Sequence, residues 1–198
     1  AVGRRSAVMV EQRAAGALGL RGLTTRFAAG GRVEAIVLRP QRRAQAVFVD
    51  EVRAEPGRGL IGDHRGQRLA ETEAQRHREL TLIQHEHLPL IGAWTLQQAV
   101  DARRLRRNLV ISGLNLAAMH SPFADQVLVW RVGPEVCIEV TGSCPPCSRM
   151  ETELGLGGYN ALRGHGGLTA RVTTGGLIRV GAVVELERVE AARDSHQT

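Results

Sequence analysis

Short runs of Val, Ile and Leu, each cut off within a few residues by glycine or proline, dominate this chain and leave little room for long helices. RVEAIVLRP (32–40) alternates apolar and polar residues and stops at Pro40, and AQAVFVDEVRA (44–54) alternates in the same way. Side chains that repeat with a period of two belong to strands with one face buried. ELTLIQHEHLPLIGAW reads as a strand that enters a short helix after Gln84, with Pro89 in its first turn, where the missing amide does no harm. Leu109 to Ile111 reads as a buried strand behind the basic segment DARRLRRN, and QVLVWRVGPEVCIEVTG as two strands joined at Gly133-Pro134. SRMETELGLGGYNALRG suits a short helix ended by glycines, and LTARVTTGGLIRVGAVVELERV a closing hairpin with Gly175-Gly176 at its turn. Many short strands need their edges covered, and closure does that best. The expected fold is mainly β: a closed barrel with a few short helices.

Residues 1–31, rich in Arg, Ala and Gly and without a sustained apolar period, are expected to form a flexible extension. Residues 32–190 form the folded domain, and the polar stretch 191–198 a frayed tail. The formal charge is +6, carried entirely by 26 arginines because the chain has no lysine. A lysine Schiff base to pyridoxal phosphate is therefore excluded. Three Phe, two Trp and one Tyr are too few for a nucleic-acid stacking platform, so an anionic small molecule is the better expected partner. No apolar run has the ~20 residues that span a bilayer. Neither nucleic acid nor membrane is expected as a partner, and with three cysteines in a chain of this size the expected compartment is the cytoplasm.

SCPPCSR (143–149) holds two of the three cysteines; Cys137 lies in the apolar run VCIEV and reads as core. A zinc ribbon needs a second ligand pair, for which only His85 and His87 offer themselves. A dithiol switch uses C-x-x-C inside a βαβ framework, which this strand pattern does not provide. A third reading is a scaffold for one thiolate. Pro145 and Pro146 stiffen the segment, Cys147 falls near a helix start, and Arg149 follows, an environment that favours the thiolate.

GLIGDHRG, RRNLVISGLNL, GSCPPCSRME and GHGGLTARVTTGGLIRVG, in this order between about Arg32 and Glu187, resemble the MOSC family, the carboxyl-terminal domain of molybdenum cofactor sulfurases. The resemblance implies a β-barrel that binds molybdenum cofactor (molybdopterin) or carries sulfur for it. The family's cysteine, sulfur acceptor or molybdenum ligand, maps to Cys147, which follows Pro146 and precedes Arg149 by two positions. Cys144 is secondary. Arg106 is then a clamp for the cofactor phosphate, and Asn108 either reads pterin edges or holds a loop. Asp63 either touches ligand or caps its own glycine loop. Arg149, His165 and Gly166 complete the candidate cofactor contacts, whereas Arg107 reads equally well as a solvent-facing neighbour. As an enzyme such a protein would reduce N-hydroxylated substrates with electrons from a partner, since no dinucleotide fingerprint or iron–sulfur cysteine set is present. As a carrier it would take sulfur from a donor protein. The thiol-redox or zinc reading would use Cys144 and Cys147 together.

Overall fold

The computed structural model describes residues 19–192. Seven strands close into a barrel in the order β11 (Val183–Ala191), β7 (Gln126–Val132), β8 (Val136–Ser143), β9 (Leu168–Thr174), β5 (Leu80–Gln84), β6 (Leu109–Ser112) and β1 (Gly31–Leu38). Gly31 opposite Val184 and Arg32 opposite Val183 complete the ring. Every neighbouring pair is antiparallel except β5 and β6, where Leu82 faces Leu109 in a parallel register. That exception demands a crossover, which α3 (His87–Trp94) and α4 (Ala102–Leu105) supply. β2 (Val47–Val49) extends the sheet beyond β1. β3 (Glu51–Glu55), β4 (Gly59–Leu60) and β10 (Gly176–Arg179) form a separate three-stranded sheet. The remaining helices are single turns or little more: α1 (Gly19–Leu23), α2 (Glu73–Arg76), α5 (Arg149–Leu154) and α6 (Gly158–Ala161).

Two apolar clusters explain the uninterrupted hydrophobic runs. Leu80, Leu82, Leu109 and Ile111 point into the barrel with Trp130, Ile138 and Val172. Their strand neighbours Ile83 and Val110 pack on the other side, against Ile91, Leu105, Met150, Leu154 and Leu162 of the helical layer. A strand buried on both faces loses its alternation, which is why LVI reads as continuous. The helical layer, with the cysteine loop leading into α5, thus lies against the outer face of β5 and β6.

Two expectations change. AQAVFVDEVRA is two strands rather than one: it breaks at Asp50, β2 joins the barrel sheet, and β3 joins the smaller one. The closing hairpin does not form. At Gly175 the chain leaves the barrel, and β10 pairs with β3 instead of β9. A side chain at Gly175 would come within 2.9 Å of the Ala54 carbonyl oxygen, so only glycine permits that crossing. Of the extension assigned to residues 1–31, residues 1–18 lie outside the described residues. The rest holds helix α1 and the first residue of the closing strand β1. The Phe27 ring packs edge-on to Trp130 at 4.8 Å, and Arg21 pairs with Asp125 at 3.0 Å.

Candidate functional site

One end of the barrel gathers arginines from four loops. Arg39 closes β1 and turns inward, where it is 9% exposed. Its guanidinium grips Asp63 through Nε to Oδ2 and Nη2 to Oδ1, both at 2.9 Å. The amides of Arg39 and Arg65 and the Asn108 carboxamide donate to the same carboxylate, at 3.0, 3.1 and 3.2 Å. Five donors saturate its two oxygens. Burial alone would raise the Asp63 carboxyl, but the hydrogen bonds and charge of Arg39, with the two amides, hold it below its ordinary value.

Asn108 is equally committed. Its Oδ1 accepts from the amide and hydroxyl of Thr81, and its Nδ2 donates to the Val37 carbonyl as well as to Asp63. Asp63 and Asn108 therefore form a brace that ties β1, β5 and β6 to the glycine loop. Of the roles open to them, capping and loop-holding are the ones this geometry displays, and neither side chain keeps a free hydrogen-bonding position for a ligand.

Arg106 and Arg149 meet in a cleft of about 320 Å³ whose lining also includes Arg43, Arg103, Arg104 and Glu153. Asp101 caps α4 and neutralises Arg103, and Glu153 pairs with Arg149 at 3.0 Å, one turn along α5. Arg106 ends α4 in the left-handed conformation, φ 59°, and donates to the Ala44 carbonyl. Burial lowers its guanidinium from the ordinary value, and the charges of Arg149 and Arg39 push the same way. Cys147, exposed, stands two residues before Arg149 and ahead of the first turn of α5. Cys144 is buried; its amide donates to the Gly167 carbonyl, and its Sγ lies 3.7 Å from Arg78 Nη2.

Arg107, expected as readily in solvent, is 8% exposed and lies beneath this loop. Nε donates to the Gly166 carbonyl at 2.6 Å, Nη1 to Leu105 at 2.9 Å and Nη2 to Cys144 at 3.4 Å. Among the described residues no carboxylate pairs with it. Burial lowers its guanidinium from the ordinary value. Gly166 is needed for that contact: a Cβ there would lie 2.3 Å from the Cys144 carbonyl oxygen. The His165 ring lies edge-on to His87 at 4.6 Å and to Trp94 at 5.0 Å, with Nδ1 buried and unbonded. Among the described residues no three His, Cys, Asp or Glu side chains gather as metal ligands. Arg39 was missed in the sequence, and the burial of Arg107 was not foreseen, because a charged residue at the end or the entrance of a strand looks solvated. The only signal for Arg39 was its position at the end of an apolar run, before Pro40.

A closed seven-stranded barrel with a few short helices is consistent with the MOSC fold. The MOSC domain model matches residues 62–185, most of the chain, and the chain belongs to that family, which is associated with binding of the molybdenum cofactor. β1, which closes the ring, lies outside the matched span. Among solved structures, the YuaD protein from Bacillus subtilis shares the fold with a TM-score of 0.63 at 15% identity, covering 83% of this chain and 97% of that one. YiiM from Geobacillus stearothermophilus gives 0.62 at 15% over 80% and 75%, and YiiM from Escherichia coli 0.57 at 20% over 79% and 70%. At these identities the likeness is one of fold. No curated protein matches the chain.

Proposed function

We propose that this protein binds molybdenum cofactor with Cys147 as the thiol that ligates molybdenum or accepts sulfur. The observation that carries the reading is an exposed cysteine beside a buried guanidinium that has no carboxylate partner among the described residues. Such a charge needs a compensating anion, and a phosphorylated pterin with a soft metal centre suits an arginine-lined site that offers one thiol. Arg106 and Arg149 would hold the anionic end of the cofactor, and Arg107 would fix the cysteine loop through the carbonyls of Cys144 and Gly166. When bound, the cofactor supplies oxygen- or sulfur-transfer redox chemistry. Reduction of N-hydroxylated compounds with an electron-donating partner is the enzymatic form of this reading.

A non-catalytic sulfur carrier is the second form, favoured by the exposure of Cys147, which leaves the thiol open to a donor protein. The dithiol and zinc readings have less support, because Cys144 is buried and committed to the loop. A reducing compartment such as the cytoplasm belongs to the proposal, since all three cysteines are unpaired. Among the described residues no helix is long and apolar enough to cross a membrane.

The test is molybdenum per chain, measured by mass spectrometry on protein made in a cofactor-producing host, together with cyanide-labile sulfur. Wild type should hold one or the other and Cys147→Ser neither, with circular dichroism showing both folded. Retention by Cys147→Ser would move the site elsewhere.

A further inference from the structure

A second arginine cleft lies at the same end of the barrel and shares no lining residue with the one that holds Arg106 and Arg149. Its volume is about 290 Å³, and Arg58, His64, Arg65, Arg68 and Arg78 line it with Glu79. The nearby carboxylates are already engaged. Asp63 is saturated by Arg39 and its neighbours, and Glu55 lies 3.8 Å from Arg58. Glu79 is buried and accepts from the amides of Gly57 and Val172 at 3.1 and 2.8 Å. Glu71, exposed at the rim, is the remaining acidic lining residue. Among the described residues Arg65, Arg68 and Arg78 therefore face the cleft without an ion-pair partner. His64 adds a buried Nδ1 that makes no hydrogen bond, although it lies 3.3 Å from Asp63 Oδ1.

Three unpaired guanidinium groups around a small cleft form a receptor for a compact, multiply charged anion, because their planar forks match its oxygens. Arg78 also reaches the Cys144 sulfur, which connects this cleft to the loop that presents Cys147. We propose that the Arg65–Arg68–Arg78 cleft is a second anion site, which takes a tetrahedral oxyanion such as a phosphate group carried by the substrate rather than by the cofactor. This rests on the reading that the cofactor occupies the Arg106–Arg149 side. The substrate class it implies is a small phosphorylated or sulfonated molecule whose charged group anchors here, with its reacting end toward the cysteine loop.

The experiment is calorimetric titration of inorganic phosphate at fixed ionic strength into wild type and Arg65→Ala/Arg68→Ala, each with and without molybdenum loaded. Both substituted arginines are exposed, so the variant should keep the wild-type melting temperature, and Arg26→Ala serves as a charge control. Wild type should bind one phosphate in both forms, the control should match it, and the double variant should bind at least tenfold more weakly while retaining its molybdenum. No saturable binding by wild type, or equal binding by the double variant, would overturn the site. Loss of phosphate binding on loading, or loss of molybdenum from the double variant, would assign the cleft to the cofactor and overturn the substrate reading. Should wild type retain no molybdenum at all, the cofactor proposal falls by itself, and the titration of unloaded protein still decides whether the oxyanion site exists.

Discussion

The Arg107 guanidinium donates to the Gly166 carbonyl at 2.6 Å, so a buried cation joins two loops that lie 59 residues apart in the chain. With its bonds to Leu105 and Cys144 it fixes the floor under the cysteine pair. Replacing it by Met keeps much of the volume but leaves three carbonyls without their donor. Arg107→Met should lose about 1–3 kcal/mol of stability, read from urea unfolding, and several-fold in molybdenum content. Arg107→Lys should restore part of the stability, since one ammonium reaches fewer of the three carbonyls.

Cys144 and Cys147 should separate cleanly. Cys144→Ser places a hydroxyl in a buried site and should cost about 1–3 kcal/mol while leaving most bound molybdenum or labile sulfur in place. Cys147→Ser, at an exposed position, should unfold at the wild-type urea concentration yet hold neither. Equal loss of ligand in both variants would support a dithiol or zinc site.

The Asp63–Arg39–Asn108 brace should show itself in acid. The Asp63 carboxyl titrates below its ordinary 3.8 in the folded protein, so its stabilisation is complete above that value and disappears as the pH falls through the lower folded one. His64 acts earlier: burial, with the charge of Arg39, lowers its imidazole below the ordinary 6.5. Protonation then favours the unfolded chain, and stability should decline as the pH drops below about 6.5. Melting temperatures between about pH 2 and 8 check both, the Asp63 loss appearing only below its ordinary 3.8 and His64→Gln flattening the upper part of the decline. Asp63→Ala at neutral pH strands the buried Arg39 and should cost about 3–5 kcal/mol.

Phe27 is the test of where the domain begins. Its ring covers Trp130, the largest fully buried side chain, and Phe27→Ala should cost about 1–3 kcal/mol because the ring is only partly buried. A chain that starts at Gly31 should melt several degrees below one that starts at Gly19. Equal melting temperatures would return residues 19–30 to the flexible extension.

Most of the strands, the Gly133-Pro134 turn, the helix beginning near Pro89 and the cysteine loop were legible in the sequence, because each depends on residues within a few positions of one another; the break at Asp50 and the short β4 were not. The barrel was legible as a class from the number of short strands. Its strand order was not, and the chain's departure at Gly175 to pair with β3 reverses what the local hairpin pattern suggests. At the site, the motif marked Cys147, Arg106 and Arg149, and the structure places the two arginines in one cleft. It also shows Asp63 and Asn108 bonding to each other and Arg107 underneath the cysteines. Those facts were hidden for one reason. Whether a charged residue is solvated or buried depends on which distant strand lies over it, and Arg39 meets its partner 24 residues away only after β1, β5 and β6 have closed together.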